Sequence, residues 1–382
     1  MAKTLGGLFF STAKRFARLQ RQAFKIASQA SVSAIKESSV KKKVAGKPVV
    51  KRSVPRKASI KPAAEAALAG PGTWQSLVHK VAPTATELLG RLGYSLYRPV
   101  IRPMAGMPLV VMLHGCQQTA LEMALGSRMN TLADSKGFVV VYPQQARRVQ
   151  ALHCWRWFQP DEAHGFAEAD AIVDLVGVLV SRYKLDRSRV YIAGMSAGAG
   201  MAGLVALRHP DVFAAVAMHS GPVLGEAQSA GEGVQTMRGG ASLDPTNLVE
   251  PLVSRSGHFP GMPAIILHGQ RDHVVTKRNA DQLAQQFIYL NWAAVGNKGP
   301  GSPVLANRSL PSSRASVLAA GTEREYERLD YQLGKETVVR VCLVKNVGHA
   351  WSGGDPRLKF NAKAGPGACR LIWQFFDKHR RS

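Results

Sequence analysis

The feature that most constrains the fold is a series of short, nearly uninterrupted apolar runs. "MPLVVMLHG" (107–115) and "GFVVVYP" (137–143) carry no alternation of polar and apolar residues, so a strand made from either must be covered on both faces. "RVYIAG" (189–194), "FAAVAMHSG" (213–221), "MPAIILHG" (262–269) and "TVVRVCLVKNVGH" (337–349) read as further strands. Helical spacing lies between them: "ALEMALGSRMNTLADSK" (120–136) reads as one helix, as do "EADAIVDLVGVLVSRY" (168–183), "AGAGMAGLVALRHP" (197–210), "KRNADQLAQQFIYLNW" (277–292) and "CRLIWQFFDKH" (369–379). Strands that alternate with helices predict an α/β fold built on a mostly parallel, doubly wound sheet. "YSLYRPV" (94–100) alternates as an edge strand does, and the Gly-, Pro- and Ser-rich stretch 296–322 reads as a surface insertion.

Charge divides the chain. Of a net charge of +25, residues 1–72 carry +14, with Glu37 and Glu65 their acids. Residues 7–29 intersperse Leu8, Phe9, Phe16, Leu19, Phe24 and Ile26 with Lys and Arg, the pattern of a cationic amphipathic helix suited to an anionic or apolar surface. Residues 30–72 are too polar to offset chain entropy and read as a disordered linker. The expected organisation is therefore a basic tail over 1–72 and one α/β domain over 73–382. A tail of this kind attracts nucleic acid without sequence preference, so no specific nucleic-acid partner is expected. No run of about 18 apolar residues suggests a membrane span. Lys3 precedes only the short run "LGGLFF", which disfavours a secretory signal. Cys116, Cys154, Cys342 and Cys369 form no C-x-x-C pair, which argues against structural zinc. Free thiols and one or two bridges both fit this pattern, and the reduced, cytosolic reading is preferred.

The sequence "GMSAG" (194–198) joins a strand to a helix through Ser196. G-x-S-x-G in this setting makes a strained turn that lifts a serine hydroxyl to the carboxyl end of the sheet, although a plain glycine-rich turn would read the same. A serine alcohol needs a base, and the base needs an acid to fix its tautomer. On such elbows the acid and then the base follow the serine in the chain. Asp272, just past "AIILHG", is the candidate acid, with helix N-capping as its structural alternative. His349, after the last strand, is the candidate base among 11 histidines; His268 and His273 precede that strand, and His219 reads as a core or site-wall residue. An oxyanion needs two N–H donors, which are expected from Ala197 and from Cys116 in "LHGCQQTA". Trp155 and Trp157 in "HCWRWF", with His114 at the strand end, are candidate substrate contacts. Neither a P-loop nor a dinucleotide fingerprint follows a strand.

Together "PLVVMLHGCQQTA", "GFVVVYPQQ", "CWRWF", "RVYIAGMSAGAGMAGLVALRHPDVFAAVAMHSG" and "GHAWSGG" resemble the polyhydroxybutyrate depolymerase family of esterases, relatives of the feruloyl and acetylxylan esterases. The resemblance covers roughly residues 93–382. It implies an α/β-hydrolase fold and a serine esterase without metal or cofactor. It places nucleophile, acid and base on Ser196, Asp272 and His349, and the oxyanion amides on Cys116 and Ala197. The implied substrate is a short-chain poly(3-hydroxyalkanoate) or its oligomers, with a feruloyl- or acetylxylan-type carbohydrate ester as the alternative. An inactive granule- or nucleic-acid-associated binding protein is the reading of another class, and the intact Ser196, Asp272 and His349 speak against it. Secreted members of the family usually carry a signal peptide, and many carry a polymer-binding domain; the basic tail stands here instead. The expected location is therefore cytoplasmic or on a polymer granule, with secretion as the alternative.

Overall fold

The apolar runs form the parallel centre of a ten-stranded sheet, and strands that the sequence did not announce form its margins. The computed structural model describes residues 70–81, 90–253, 259–295 and 312–381. The helix expected over 7–29, nearly all of the basic tail, and residues 296–311 of the expected insertion lie outside the described residues.

Along the chain come β1 (Thr73–Lys80), β2 (Arg91–Arg98), β3 (Leu109–Leu113), α1 (Ala120–Ser127), α2 (Met129–Lys136) and β4 (Val139–Gln144). Next are α3 (Gly165–Tyr183), β5 (Val190–Met195), α4 (Ala197–Arg208), β6 (Ala215–His219), α5 (Ala230–Gly239) and α6 (Pro245–Val249). The described chain closes with β7 (Ala264–Gly269), α7 (Lys277–Val295), β8 (Ser312–Leu318), β9 (Tyr326–Leu333), β10 (Glu336–Val344), the two-residue strands β11 (Trp351–Ser352) and β12 (Asn361–Ala362), and α8 (Ala368–Phe376).

Strand order is β1-β2-β4-β3-β5-β6-β7-β10-β9-β8. From β4 to β10 every pairing is parallel, and antiparallel partners flank the block on both sides. Every residue of β3, β5, β6 and β7 is buried, which is why these strands read as unbroken apolar runs. One face is covered by α8, whose Trp373 and Phe376 stack on Phe138 and Tyr191 at centroid distances of 4.2 and 4.7 Å. Burying each such aromatic ring contributes roughly 1.5–3 kcal/mol. The chain leaves β3 outward to β4, then returns to β5 on the other side of β3. Strand order reverses there, the position at which open α/β sheets generally bind ligands beyond the carboxyl ends of their strands.

Three expectations change. Residues 94–100 do not make an edge: β2 lies between β1 and β4, and β1, half of whose residues are exposed, is the margin. The helix expected over 120–136 is two helices, broken at Arg128 (φ 62°). The Asp355 amide, arriving from the C-terminal region, donates to the Gly126 carbonyl at 2.9 Å just before the break. Part of the expected insertion, Ser312–Leu318, is the edge strand β8; its solvated faces leave no apolar alternation to read.

Candidate active site

Between β5 and α4 the chain turns at Ser196, whose φ of 55° and ψ of −122° lie where a residue with a Cβ is strained. Such strain costs on the order of 1–3 kcal/mol and persists only where the surroundings impose it. Here they do. A Cβ on Gly194 would collide with the Gly198 carbonyl, and one on Gly198 with the carbonyls of Leu113 and His114, so small residues let β5, α4 and β3 close around the turn. The Ser196 amide donates to the His219 carbonyl at 2.9 Å, anchoring the turn to β6. Ser196 is 3% exposed.

Two strands away, β7 delivers Asp272. Its Oδ1 accepts the amides of Val274 and Val275, both at 2.9 Å, and its Oδ2 faces His349 Nδ1 at 2.8 Å. Burial alone would raise the Asp272 pKa, but the charge and hydrogen bond of His349, with His268 and the Val275 amide, hold it well below the usual carboxylate range. An ionised Asp272 accepts from Nδ1–H, which fixes the His349 tautomer with Nε2 as the acceptor nitrogen. The His219 ring stands against this pair. Burial, then the neighbouring His268, lowers its pKa to about 3, while Asp272 opposes the shift. Its Nε2 accepts from the Ser352 amide at 3.3 Å, and its ring stacks on Trp351 at 5.0 Å. His268 is buried, with Nε2 3.0 Å from the Val275 carbonyl. Neutral His219 and His268 thus wall the pair, and His349 is the histidine in hydrogen-bond contact with Asp272.

After β3, Gly115 comes close to the elbow: a Cβ built on it would lie 3.5 Å from Ser196 Cβ. The amides on either side of Cys116 are committed, Gly115 to Gln118 Oε1 (2.9 Å) and Gln117 to the Leu152 carbonyl (2.6 Å). Ala197 opens α4, where a helix leaves its first N–H groups without intrahelical acceptors. A disulfide joins Cys116 to Cys154, correcting the preferred reduced reading for this pair; Cys342 and Cys369 are free and buried.

His114, Trp155 and Trp157, the candidate substrate contacts, also support the rim from behind. All three are buried. Trp155 Nε1 donates to the His114 carbonyl at 3.1 Å, and Trp157 packs against Gly200 of α4. His114 Nε2 accepts from the Gln145 amide at 3.2 Å and Nδ1 donates to the Gly115 carbonyl at 2.8 Å; burial lowers its pKa to about 4, so it ties β3 to β4 as a neutral ring. Sequence reading passed over Glu168, which falls at helical spacing with the buried Ile172, Leu175 and Leu179. An acid on an apolar helix face was the available signal. Among the described residues no group of three or more His, Cys, Asp or Glu side chains is arranged to hold a metal ion.

The family model described as esterase PHB depolymerase matches residues 92–301, more than half of the chain. The chain belongs to that family. The matched region contains Ser196 and Asp272 and ends before His349. The chain is similar to the poly(3-hydroxyalkanoate) depolymerase C of Paucimonas lemoignei, 35% identical over 48% of this chain and 45% of that relative. It is also similar to the poly(3-hydroxybutyrate) depolymerase of Ralstonia pickettii, 29% identical over 76% of this chain and 58% of that relative. The chain thus spans about half the length of these two relatives. Among solved structures, the acetyl xylan esterase of Aspergillus awamori shares the fold, with a TM-score of 0.58 at 20% identity over 80% of this chain and 99% of that one.

Proposed function

We propose that this PHB depolymerase family member is a serine carboxylic-ester hydrolase that works through an acyl-enzyme on short-chain poly(3-hydroxyalkanoate) or its oligomers. The observation that carries the reading is the 2.8 Å Asp272–His349 hydrogen bond on the rim where Ser196 is held in a strained elbow. His349 takes the Ser196 proton as Oγ attacks the ester carbonyl, and Asp272 steadies the imidazolium. The Ala197 and Cys116 amides bind the oxyanion, and His349 returns the proton to the departing alcohol. Water, activated by the same imidazole, then releases the acid. The two relatives named as depolymerases support the substrate class.

The Cys116–Cys154 bridge favours an oxidising compartment, which supports the secreted location over the cytoplasmic one. Among the described residues no helix is long and apolar enough to cross a membrane. Contact with a granule or another anionic surface is assigned to the cationic stretch 7–29, on its sequence pattern alone.

Labelling with a fluorophosphonate probe and mapping the modified peptide tests the mechanism: the label is expected on Ser196, and Ser196→Ala is expected to abolish turnover. Ester hydrolysis that survives this substitution defeats the reading. p-Nitrophenyl butyrate, a hydroxybutyrate oligomer and a feruloyl ester then fix the substrate. Turnover confined to the feruloyl ester moves it to a carbohydrate ester.

A further inference from the structure

Beneath the rim lies a buried carboxylate that the proposed chemistry does not use. Glu168, in the first turn of α3, is 2% exposed, and among the described residues it forms no ion pair. Its Oε1 accepts from Gln145 Nε2 at 2.7 Å, and its Oε2 accepts the Arg156 amide at 2.9 Å. These partners stand at the two ends of one segment, 145–156. Within it, four consecutive residues grip the turn after β3. The Leu152 carbonyl accepts from the Gln117 amide, and His153 Nδ1 lies 3.1 Å from the Gln118 carbonyl. Cys154 is bonded to Cys116, and Trp155 donates to the His114 carbonyl. Gln145 Nε2 also reaches the Cys154 carbonyl at 3.3 Å.

We infer that Glu168 is a positioning residue for the Cys116 amide: fixed on α3, its carboxylate clamps both ends of the 145–156 strap, and the strap sets the turn. The inference rests on the proposed role of that amide as an oxyanion donor. The chemistry calls for a carboxylate, since each oxygen meets an N–H. A glutamine offers one acceptor and turns an NH2 group toward the other donor, and a protonated Glu168 likewise faces an N–H with its own O–H. Burial pushes the Glu168 pKa up to about 7, opposed by the Arg156 amide, Gln145 and the Arg156 charge. The Arg156 guanidinium is spent on the Val149 carbonyl at 2.9 Å, and His153 of the strap is held by Arg147. On the β3 side His114 stays neutral, and on α3 Asp170 is paired with Arg208 and His209.

The test compares full-length wild type with Glu168→Gln, using p-nitrophenyl butyrate kinetics and amide exchange across residues 114–118. A displaced oxyanion donor affects the transition state more than the ground state, so kcat is expected to fall about 10- to 100-fold with KM changed less than about threefold. On the acid side, log kcat of the wild type is expected to fall more steeply than that of the variant, by the one further proton that Glu168 binds. Exchange across 114–118 is expected to quicken in the variant. Wild-type kcat in the variant, equal acid slopes, or unchanged exchange overturns the inference. Should Glu168→Gln fail to fold, wild-type exchange decides, and protection across 114–118 that stays constant as pH falls through about 7 overturns it. If wild-type turnover is absent or survives Ser196→Ala, the functional reading falls, and exchange alone decides whether Glu168 holds the turn.

Discussion

Asp272 and Glu168 are both buried carboxylates, 6% and 2% exposed, and both accept backbone amides. Their proton affinities nevertheless move in opposite directions. Burial pushes each upward; at Asp272 the facing His349 reverses the shift, and at Glu168 the donors and the averted Arg156 leave the pKa at about 7. Neutral N–H donors thus satisfy the geometry of a buried anion without offsetting its desolvation, whereas an imidazole that can become a cation does both. In the proposed mechanism the rim carboxylate meets a charge that forms during turnover. The one beneath it is held by N–H dipoles, with the averted Arg156 charge a lesser influence.

The largest effect that breaks this comparison is expected from Asp272→Asn. The amide can still accept from Val274 and Val275, but it turns an NH2 toward Nδ1 of His349 and so favours the wrong tautomer. Loss of about 10⁴ in kcat with little change in KM is expected, the scale found when a triad aspartate is replaced in this way. Steady-state kinetics on p-nitrophenyl butyrate checks it, and a loss below tenfold would remove Asp272 from its orienting role.

What the sequence made legible follows the same division. Ser196, Asp272 and His349 could be picked out because each follows an apolar run, and the ends of parallel strands share one rim. The sheet margins could not be read. β1 exposes half of its residues and β8 most of them, and β9 carries Asp330, whose carboxylate pairs bidentately with Arg340 of β10 at 2.6 and 2.8 Å, a contact invisible without register. Four cysteines allow three complete pairings, and their spacing selects none. The strap was hidden for a related reason: its grip on residues 114–118 depends on α3 lying behind the loop, and nothing local to "HCWRWF" encodes that.

Removing the disulfide from the strap tests stability next. The Cys116→Ser, Cys154→Ser double variant opens a loop of sequence separation 38, worth about 4 kcal/mol in the chain-entropy account. Urea unfolding of the oxidised wild type against the double variant measures it. A difference under 1 kcal/mol would show that the reduced, unfolded chain already confines this loop.

The pH dependence of stability separates the two carboxylates. Asp272, with its pKa depressed on folding, contributes stability above the ordinary carboxylate value, and this is lost as pH falls through its folded value. Glu168 has the opposite sign: between 4.5 and about 7 the folded protein holds a proton that the unfolded chain has released, so stability falls as pH rises through that window. The full shift corresponds to about 3 kcal/mol. Relative to wild type, Glu168→Gln is therefore expected to gain about that much between pH 5 and pH 8 in urea unfolding. A gap constant with pH would mean that the carboxylate is not desolvated as its burial implies.

The smallest effect is expected from Trp155→Phe, which removes one tie of the strap and leaves the clamp intact. Loss of the Nε1–H donor to the His114 carbonyl costs about 1 kcal/mol of stability if water cannot replace it. The disulfide and the Leu152 and His153 contacts still hold the turn, so kcat is expected to change less than threefold. A larger loss of kcat, comparable to that of Glu168→Gln, would mean that the indole rather than the clamp fixes the Cys116 amide. The apparent stability of the strap would then come from one aromatic ring packed behind the rim, and the contrast between the two carboxylates would describe proton binding without describing catalysis.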